Sequence, residues 1–417
     1  MQERLTRIDR LDTFVGSEWL TREALLALLG RWAAVARRWL LSDILSIFLA
    51  TRLAFLLLTY FGRALVRDPA LVGDARTSFS GYLLDAWFYR DSQWFLTIVH
   101  EGYHYFGPGH RSALAFFPIY PMLVKFAHTA SGIEPGISAL IVSNLAFLGA
   151  LVYMQRLCRH EYGEATARRA VFYMAIFPTS FFTFAPYSEA LFLMLSLGSL
   201  YYTRKQQWWL AGLFGGLAAA TRILGFVLVL AFAWEYLRTH RFDLRRFRVG
   251  ALAGALIPGG LGLYMLYLYG LTGDPLAFVR AAGGWNRSAT APWDVLRTSL
   301  QDVPRAGLHG AYFQAHAFIE NGLVVGCLLT LLLGIRRIPF SFVLYGLACL
   351  AVLLSAPVVS SDIPITSMSR YLLVLSPVYI VLARLGRWPI FDRLYVLLSV
   401  SGLALFTTLF LNHMWGA

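Results

Sequence analysis

Two stretches of this 417-residue chain hold acids with surroundings suited to acid–base chemistry. In Tyr89-Arg90-Asp91-Ser92-Gln93-Trp94-Phe95 the carboxylate of Asp91 stands among aromatics. A carboxylate beside low-dielectric walls can serve as a general base. The plainer reading is a solvated loop acid paired with its neighbour Arg90. In Ala185-Pro186-Tyr187-Ser188-Glu189 an acid opens an apolar helix. Ser188 or Tyr187 at the cap and Glu189 in the first turn suit the helix dipole, which is a sufficient structural account. A carboxylate at membrane depth is also a functional candidate in its own right. Arg222 and Arg370 each stand at the end of an apolar helix. Their guanidinium forks suit a phosphate, and snorkelling to the interface is the alternative. His100-Glu101-Gly102-Tyr103-His104 fits H-E-x-x-H, in which two histidines one helical turn apart bind zinc and the glutamate activates water. Gly102 weakens that helix, Gly107-Pro108-Gly109 ends it, and the only further histidines nearby are His110 and His128.

The elements that must position these residues are apolar. The chain is 58% hydrophobic and 14% charged, far below the charge of a soluble domain. In such a chain the net charge of +13 marks cytoplasmic loops beside anionic lipid rather than a nucleic-acid partner. A span needs roughly 20 apolar residues at about 1.5 Å each. Runs near that length lie at about 40–62, 136–156, 249–270, 318–335, 340–356 and 393–412, with shorter ones at about 169–184, 187–203 and 371–384. The stretch Trp208 to Leu237 reads best as two short helices meeting at Thr221-Arg222, because a single span would export the basic loop Arg238 to Arg248. About eleven segments then alternate, with the N-terminus cytoplasmic and loops at about 63–135, 271–317 and 357–370 outside.

The first outer loop is aromatic and apolar, and interfacial helices are expected in it. Its Phe116-Phe117-Pro118 segment either cradles a lipid chain or belongs to an interfacial aromatic belt. Residues 1–38 read as a cytoplasmic, interfacial segment, and 39–417 as a single transmembrane domain. Cys158, Cys327 and Cys349 are too few and scattered for a disulfide framework. No internal repeat, Walker A loop or nucleophile elbow is present.

Several segments, in order, resemble the GPI second-mannosyltransferase family of PIG-V type. Asp91-Ser92-Gln93-Trp94-Phe95-Leu96 followed by Gly102-Tyr103 is similar to its W-D-x-x-[WHY]-[YF]-L and G-Y. Ala115-Phe116-Phe117-Pro118 is similar to its A-F-F-P, and Tyr187-Ser188-Glu189-Ala190-Leu191-Phe192 to its Y-S-E-[AS]-L-F. Arg222 and Arg370-Tyr371 resemble its later arginine positions. The pattern departs at Arg90, at Phe177 before Pro178, and at Ile223-Leu224 after Arg222. The resemblance implies an all-α polytopic membrane protein with a GT-C-like fold. It implies inverting, metal-independent transfer of mannose or a similar sugar from a polyprenyl-phosphate donor to a glycan, lipid or protein acceptor at the extracytoplasmic face. No cofactor is implied beyond that donor. Asp91 takes the role of catalytic base, and Arg90, Gln93, Tyr187, Glu189, Arg222, Arg370 and Tyr371 are the substrate-binding candidates. Gly102-Tyr103 belongs to this pattern, which leaves His100, Glu101 and His104 as coincidence; a membrane zinc protease and a non-catalytic lipid-sugar carrier or flippase stand as the alternative readings. The arginine-rich chain points to a prokaryotic plasma membrane.

Overall fold

The structure, a computed structural model, describes residues 43–66, 79–107, 109–243, 245, 248–358 and 364–414. The chain divides into two units, Met1–Ile47 and Phe48–Ala417. Of the first, only the opening of a helix is described, and the expected interfacial segment within 1–38 lies outside the described residues. Among the described residues the secondary structure is helical, with one isolated antiparallel bridge between Arg287 and Val358.

The helices used below are α1 (Asp43–Val66), α2 (Asp91–Glu101), α3 (Ile119–Ser131), α4 (Pro135–Tyr162), α5 (Glu164–Ala175), α6 (Glu189–Arg204), α7 (Trp208–Ala219) and α8 (Leu228–Thr239). They continue with α9 (Leu256–Thr272), α10 (Pro292–Ala306), α11 (Ala311–Gly334), α12 (Phe340–Leu354), α13 (Met368–Leu372), α14 (Ser376–Leu385) and α15 (Pro389–Leu411). Five helical stretches are long and apolar enough to cross a bilayer: Asp43–Val66, Pro135–Tyr162, Val249–Thr272, Ala311–Gly334 and Pro389–Leu411. Trp208–Ala219, Phe340–Leu354 and Ser376–Leu385 are shorter apolar helices. The chain is therefore an all-α, polytopic integral membrane protein.

The Trp208 to Leu237 stretch breaks where the sequence suggests. α7 stops at Ala219, a 3-10 turn runs over Ile223–Val227, and α8 returns. The Trp208 ring, at the start of α7, lies 5.4 Å from Phe232 and 4.9 Å from Tyr236, near the end of α8. The two helices are antiparallel. Two shorter runs also break. The run from 169 stops at Ala175, before Pro178, and resumes as a 3-10 turn over Ser180–Thr183. The run from 371 divides into α13 and α14, with Pro377 in the first turn of α14.

Between α1 and α4 the first long loop folds into α2, α3 and shorter turns. Phe117 packs on Tyr264 (5.1 Å between rings) and Phe278 (5.5 Å), and the Tyr264 hydroxyl donates to the Leu114 carbonyl at 2.9 Å. The Phe116-Phe117-Pro118 segment thus ties this loop to the helix carrying Tyr264. Arg52 is buried in α1 and, among the described residues, has no carboxylate partner. It donates to Asn144 Oδ1 (2.9 Å) and Thr183 Oγ1 (3.0 Å) and lies over the Phe147 ring at 4.4 Å. Its charge is met by oxygens and a π face, which fixes α1 against α4 and the Ser180–Thr183 turn.

α7 crosses the Val249–Thr272 helix backbone to backbone. A Cβ at Gly212 would lie 2.1 Å from the Ala253 carbonyl oxygen, and one at Gly260 would lie 1.9 Å from that of Gly216. The Gly212-x-x-x-Gly216 pair permits the approach that apolar packing in a bilayer exploits. Replacing Gly260 with Ala forces the helices apart. The expected loss is about 1–3 kcal/mol, read as a lowered unfolding midpoint in detergent.

Candidate active site

Asp91 and Glu189 each begin a helix, α2 and α6 respectively, where the helix dipole favours an anion. Both contact Arg370 on the short helix α13. Arg370 Nη1 meets Asp91 Oδ2 at 2.5 Å, and its Nε meets Glu189 Oε1 at 2.5 Å. Arg222, in the break between α7 and α8, reaches the same Glu189 oxygen at 2.8 Å. The result is a chain of alternating charge: Asp91, Arg370, Glu189, Arg222. Arg370 is 6% exposed and Glu189 is fully buried, whereas the Asp91 side chain keeps 25% of its surface open.

The backbone around Asp91 is held in an unusual shape. Arg90 has φ 58° and ψ −119°, a region that costs a non-glycine residue about 1–3 kcal/mol. The carbonyl of Tyr89 beside it accepts hydrogen bonds from Ser92 Oγ (3.0 Å) and from the buried Tyr187 hydroxyl (2.6 Å). Tyr187 also lies under the Arg370 guanidinium, 4.5 Å from ring centre to Cζ. A single tyrosine therefore supports both the turn presenting Asp91 and the arginine that binds it.

Two plainer sequence readings give way. Asp91 pairs with Arg370, not with Arg90, whose guanidinium lies over the Tyr89 ring at 5.0 Å. Ser188 makes no side-chain cap. Its hydroxyl instead accepts from Arg222 at 3.1 Å. Of the sequence candidates, Asp91, Tyr187, Glu189, Arg222, Arg370 and Tyr371 come together. Arg90 and Gln93 are exposed beside Asp91 and are not linked to the charge chain. The H-E-x-x-H segment is not a zinc helix. α2 ends at Glu101, Gly102 follows with φ 85°, and His104 lies beyond the helix, so the two histidines do not share a face.

Two further residues join the site. Arg287 donates to the Ala356 carbonyl (2.7 Å) and to the Tyr371 hydroxyl (3.4 Å). The guanidinium carbons of Arg222, Arg287 and Arg370 lie 5.4, 5.4 and 5.5 Å from the Tyr371 ring centre, so three cations converge on one aromatic side chain. Glu320, fully buried in α11, accepts from the Ser369 backbone N–H (2.6 Å) and hydroxyl (2.8 Å), and Thr179 donates to the Ser369 carbonyl at 2.9 Å. Ser369 is thereby clamped on both sides, and it precedes Arg370. A lone acid in an apolar helix was the signal for Glu320. Nothing local in the sequence marks Arg287.

Trp94 and Phe116 stack at 6.0 Å, and Trp285 meets both edge-on at 5.7 Å. This aromatic wall grows from α2, one turn after Asp91.

The mannosyltransferase (PIG-V) family matches the chain over residues 33–248, more than half its length, and the chain belongs to that family of glycosyltransferases. None of the curated proteins matches it in sequence. Among solved structures it is similar to ArnT from Cupriavidus metallidurans bound to undecaprenyl phosphate, at 12% identity and TM-score 0.46, over 81% of this chain and 78% of that one. It is also similar to the Archaeoglobus fulgidus oligosaccharyltransferase in the apo form, at 13% identity and TM-score 0.46, over 90% of this chain and 56% of that one.

Glu189 is the shared anion of two arginines. Replacing it with Ala leaves Arg222 and buried Arg370 facing each other, at an expected cost of about 3–5 kcal/mol. Denaturation in detergent measures this, and Glu189→Gln should lose less.

Proposed function

We propose that this glycosyltransferase moves mannose, or a similar sugar, from a polyprenyl-phosphate donor to an acceptor hydroxyl at the extracytoplasmic face, with inversion and within a GT-C-like architecture. The observation that carries the reading is that one partly open carboxylate, Asp91, shares a site with three arginines gathered around Tyr371. Family membership supplies the sugar-transfer class.

In this mechanism Asp91 takes the proton of the acceptor hydroxyl. Arg370 holds one carboxylate oxygen and leaves the other for that proton. The acceptor oxygen bonds to the anomeric carbon from the face opposite the phosphate. The carbon–oxygen bond to phosphate breaks, and its electron pair leaves on the polyprenyl phosphate. Arg222 and Arg370 are balanced by Glu189 and Asp91, so Arg287 adds the excess positive charge for the departing oxyanion. The pre-set positions of these groups lower the cost of reorganisation during transfer. The aromatic wall of Trp94, Phe116 and Trp285 offers an apolar surface for lipid or sugar.

Two outcomes are expected in an assay with radiolabelled polyprenyl-phosphate mannose and native lipid extract as acceptor. Asp91→Asn lowers transfer by about 10²–10⁴-fold while donor binding persists; near-normal turnover sinks the assignment. Arg287→Ala weakens transfer without altering the fold, because its bonds are to a carbonyl and a phenol rather than to a buried acid. A carrier or flippase would bind the donor and yield no labelled product with either the native chain or the variants.

A further inference from the structure

A second polar site lies at the far end of the same helices. α6 begins with Glu189 in the active site and ends with Arg204, roughly 22 Å away at about 1.5 Å per residue. At that end the acids are occupied. Glu161 pairs with Arg204 (2.9 Å), and Glu235 meets Arg204 (2.9 Å) and Arg238 (2.7 Å). Beside this network is a cavity of about 340 Å³ lined by Arg169, Arg337, Arg384 and Arg387 together with Tyr162, Thr166 and Trp388.

The four arginines come from separate places: α5, the turn after α11, the end of α14 and the turn before α15. Among the described residues none of the four has a carboxylate partner. Arg384 lies over the Tyr162 ring at 4.7 Å and donates to the Arg337 carbonyl, and Arg337 donates to the Leu333 carbonyl at 3.2 Å. These contacts orient the guanidinium groups and leave their charge uncancelled. Asp392 stands near, but its carboxylate accepts the Tyr173 hydroxyl at 2.5 Å and does not line the cavity.

A topology signal requires only that arginines be numerous on one side of a membrane. It does not require four of them, drawn from four segments, to face one concavity while their neighbours are matched with acids. Like charges around one hollow repel, and the arrangement is stabilised when an anion fills the space between them. Planar guanidinium forks favour phosphate oxygens, and basic hollows between membrane helices suit lipid headgroups. Trp388, half exposed at the rim, fits a bilayer interface.

We propose that this cavity is a phosphate-binding site, separate from the active site, which holds the phosphate of an anionic lipid headgroup or free phosphate from the solvent. The test uses the full chain purified in a neutral detergent and titrated separately with phosphatidylglycerol, phosphatidylcholine and inorganic phosphate. Native mass spectrometry counts bound lipid, and the thermal midpoint reports phosphate. Saturable phosphatidylglycerol binding above that of phosphatidylcholine, weakened about fivefold for each arginine removed in Arg169→Gln and Arg387→Gln, supports the site with a lipid ligand. Stabilisation by inorganic phosphate, lost in the same variants and competing with phosphatidylglycerol, supports it with the free ion. Equal binding by the variants, or no preference over phosphatidylcholine together with no response to phosphate, overturns it. Arg387 is exposed and, among the described residues, makes no ion pair and lies over the Trp388 ring, so Arg387→Gln alone keeps the fold if the double variant does not.

Discussion

The site depends on Arg370. Burying a guanidinium is costly, and here two anions at hydrogen-bond distance, Asp91 and Glu189, offset that cost. Each comes from a different helix, and Glu189 in turn holds Arg222 in the break between α7 and α8. Removing Arg370 would leave Glu189 with Arg222 and would release Asp91 from the ion pair it makes among the described residues. The carboxylate proposed to act in catalysis is therefore also part of what permits an arginine at this depth.

The surrounding structure fixes Arg370 from several sides. Tyr187 supports it from below and holds the turn before Asp91. Glu320 and Thr179 clamp Ser369, the residue preceding it. These hydrogen bonds and the ring face define position without adding a further ion pair to Arg370. The strained backbone at Arg90 fits the same pattern, because a turn held by two hydrogen bonds to one carbonyl can keep a conformation that the residue alone would abandon.

Much of the helical layout was readable from the sequence because apolar length is a local property. Five of the six long runs became long helices, the run at about 340–356 became the shorter Phe340–Leu354, and the basic loop after Leu237 was enough to divide Trp208 to Leu237 at the residues where the helix stops. The candidates Asp91, Glu189, Arg222 and Arg370 were readable as chemical types, and a family pattern supplied their order. Their pairing was not. Asp91 and Arg370 are 279 residues apart, and adjacency in the chain favoured Arg90 instead. Glu320 carried a visible signal, an acid in an apolar helix, that only its contact with Ser369 explains. Arg287 carried none, since a loop arginine is ordinary until the fold brings it to Tyr371.

The separation between Asp91 and Arg370 also bears on how the chain is assembled. Translation delivers α2, then α6, then the Arg222 turn, and only much later α13. Glu189 and Arg222 can neutralise one another as the intermediate helices enter the bilayer, whereas Asp91, among the described residues, meets its ion-pair partner only when Arg370 is in place. The charge chain of the candidate site is thus closed late, when α13 arrives. A chain cut short before α13 would carry an unfinished charge chain within its helices, a difference a membrane quality-control protease could read.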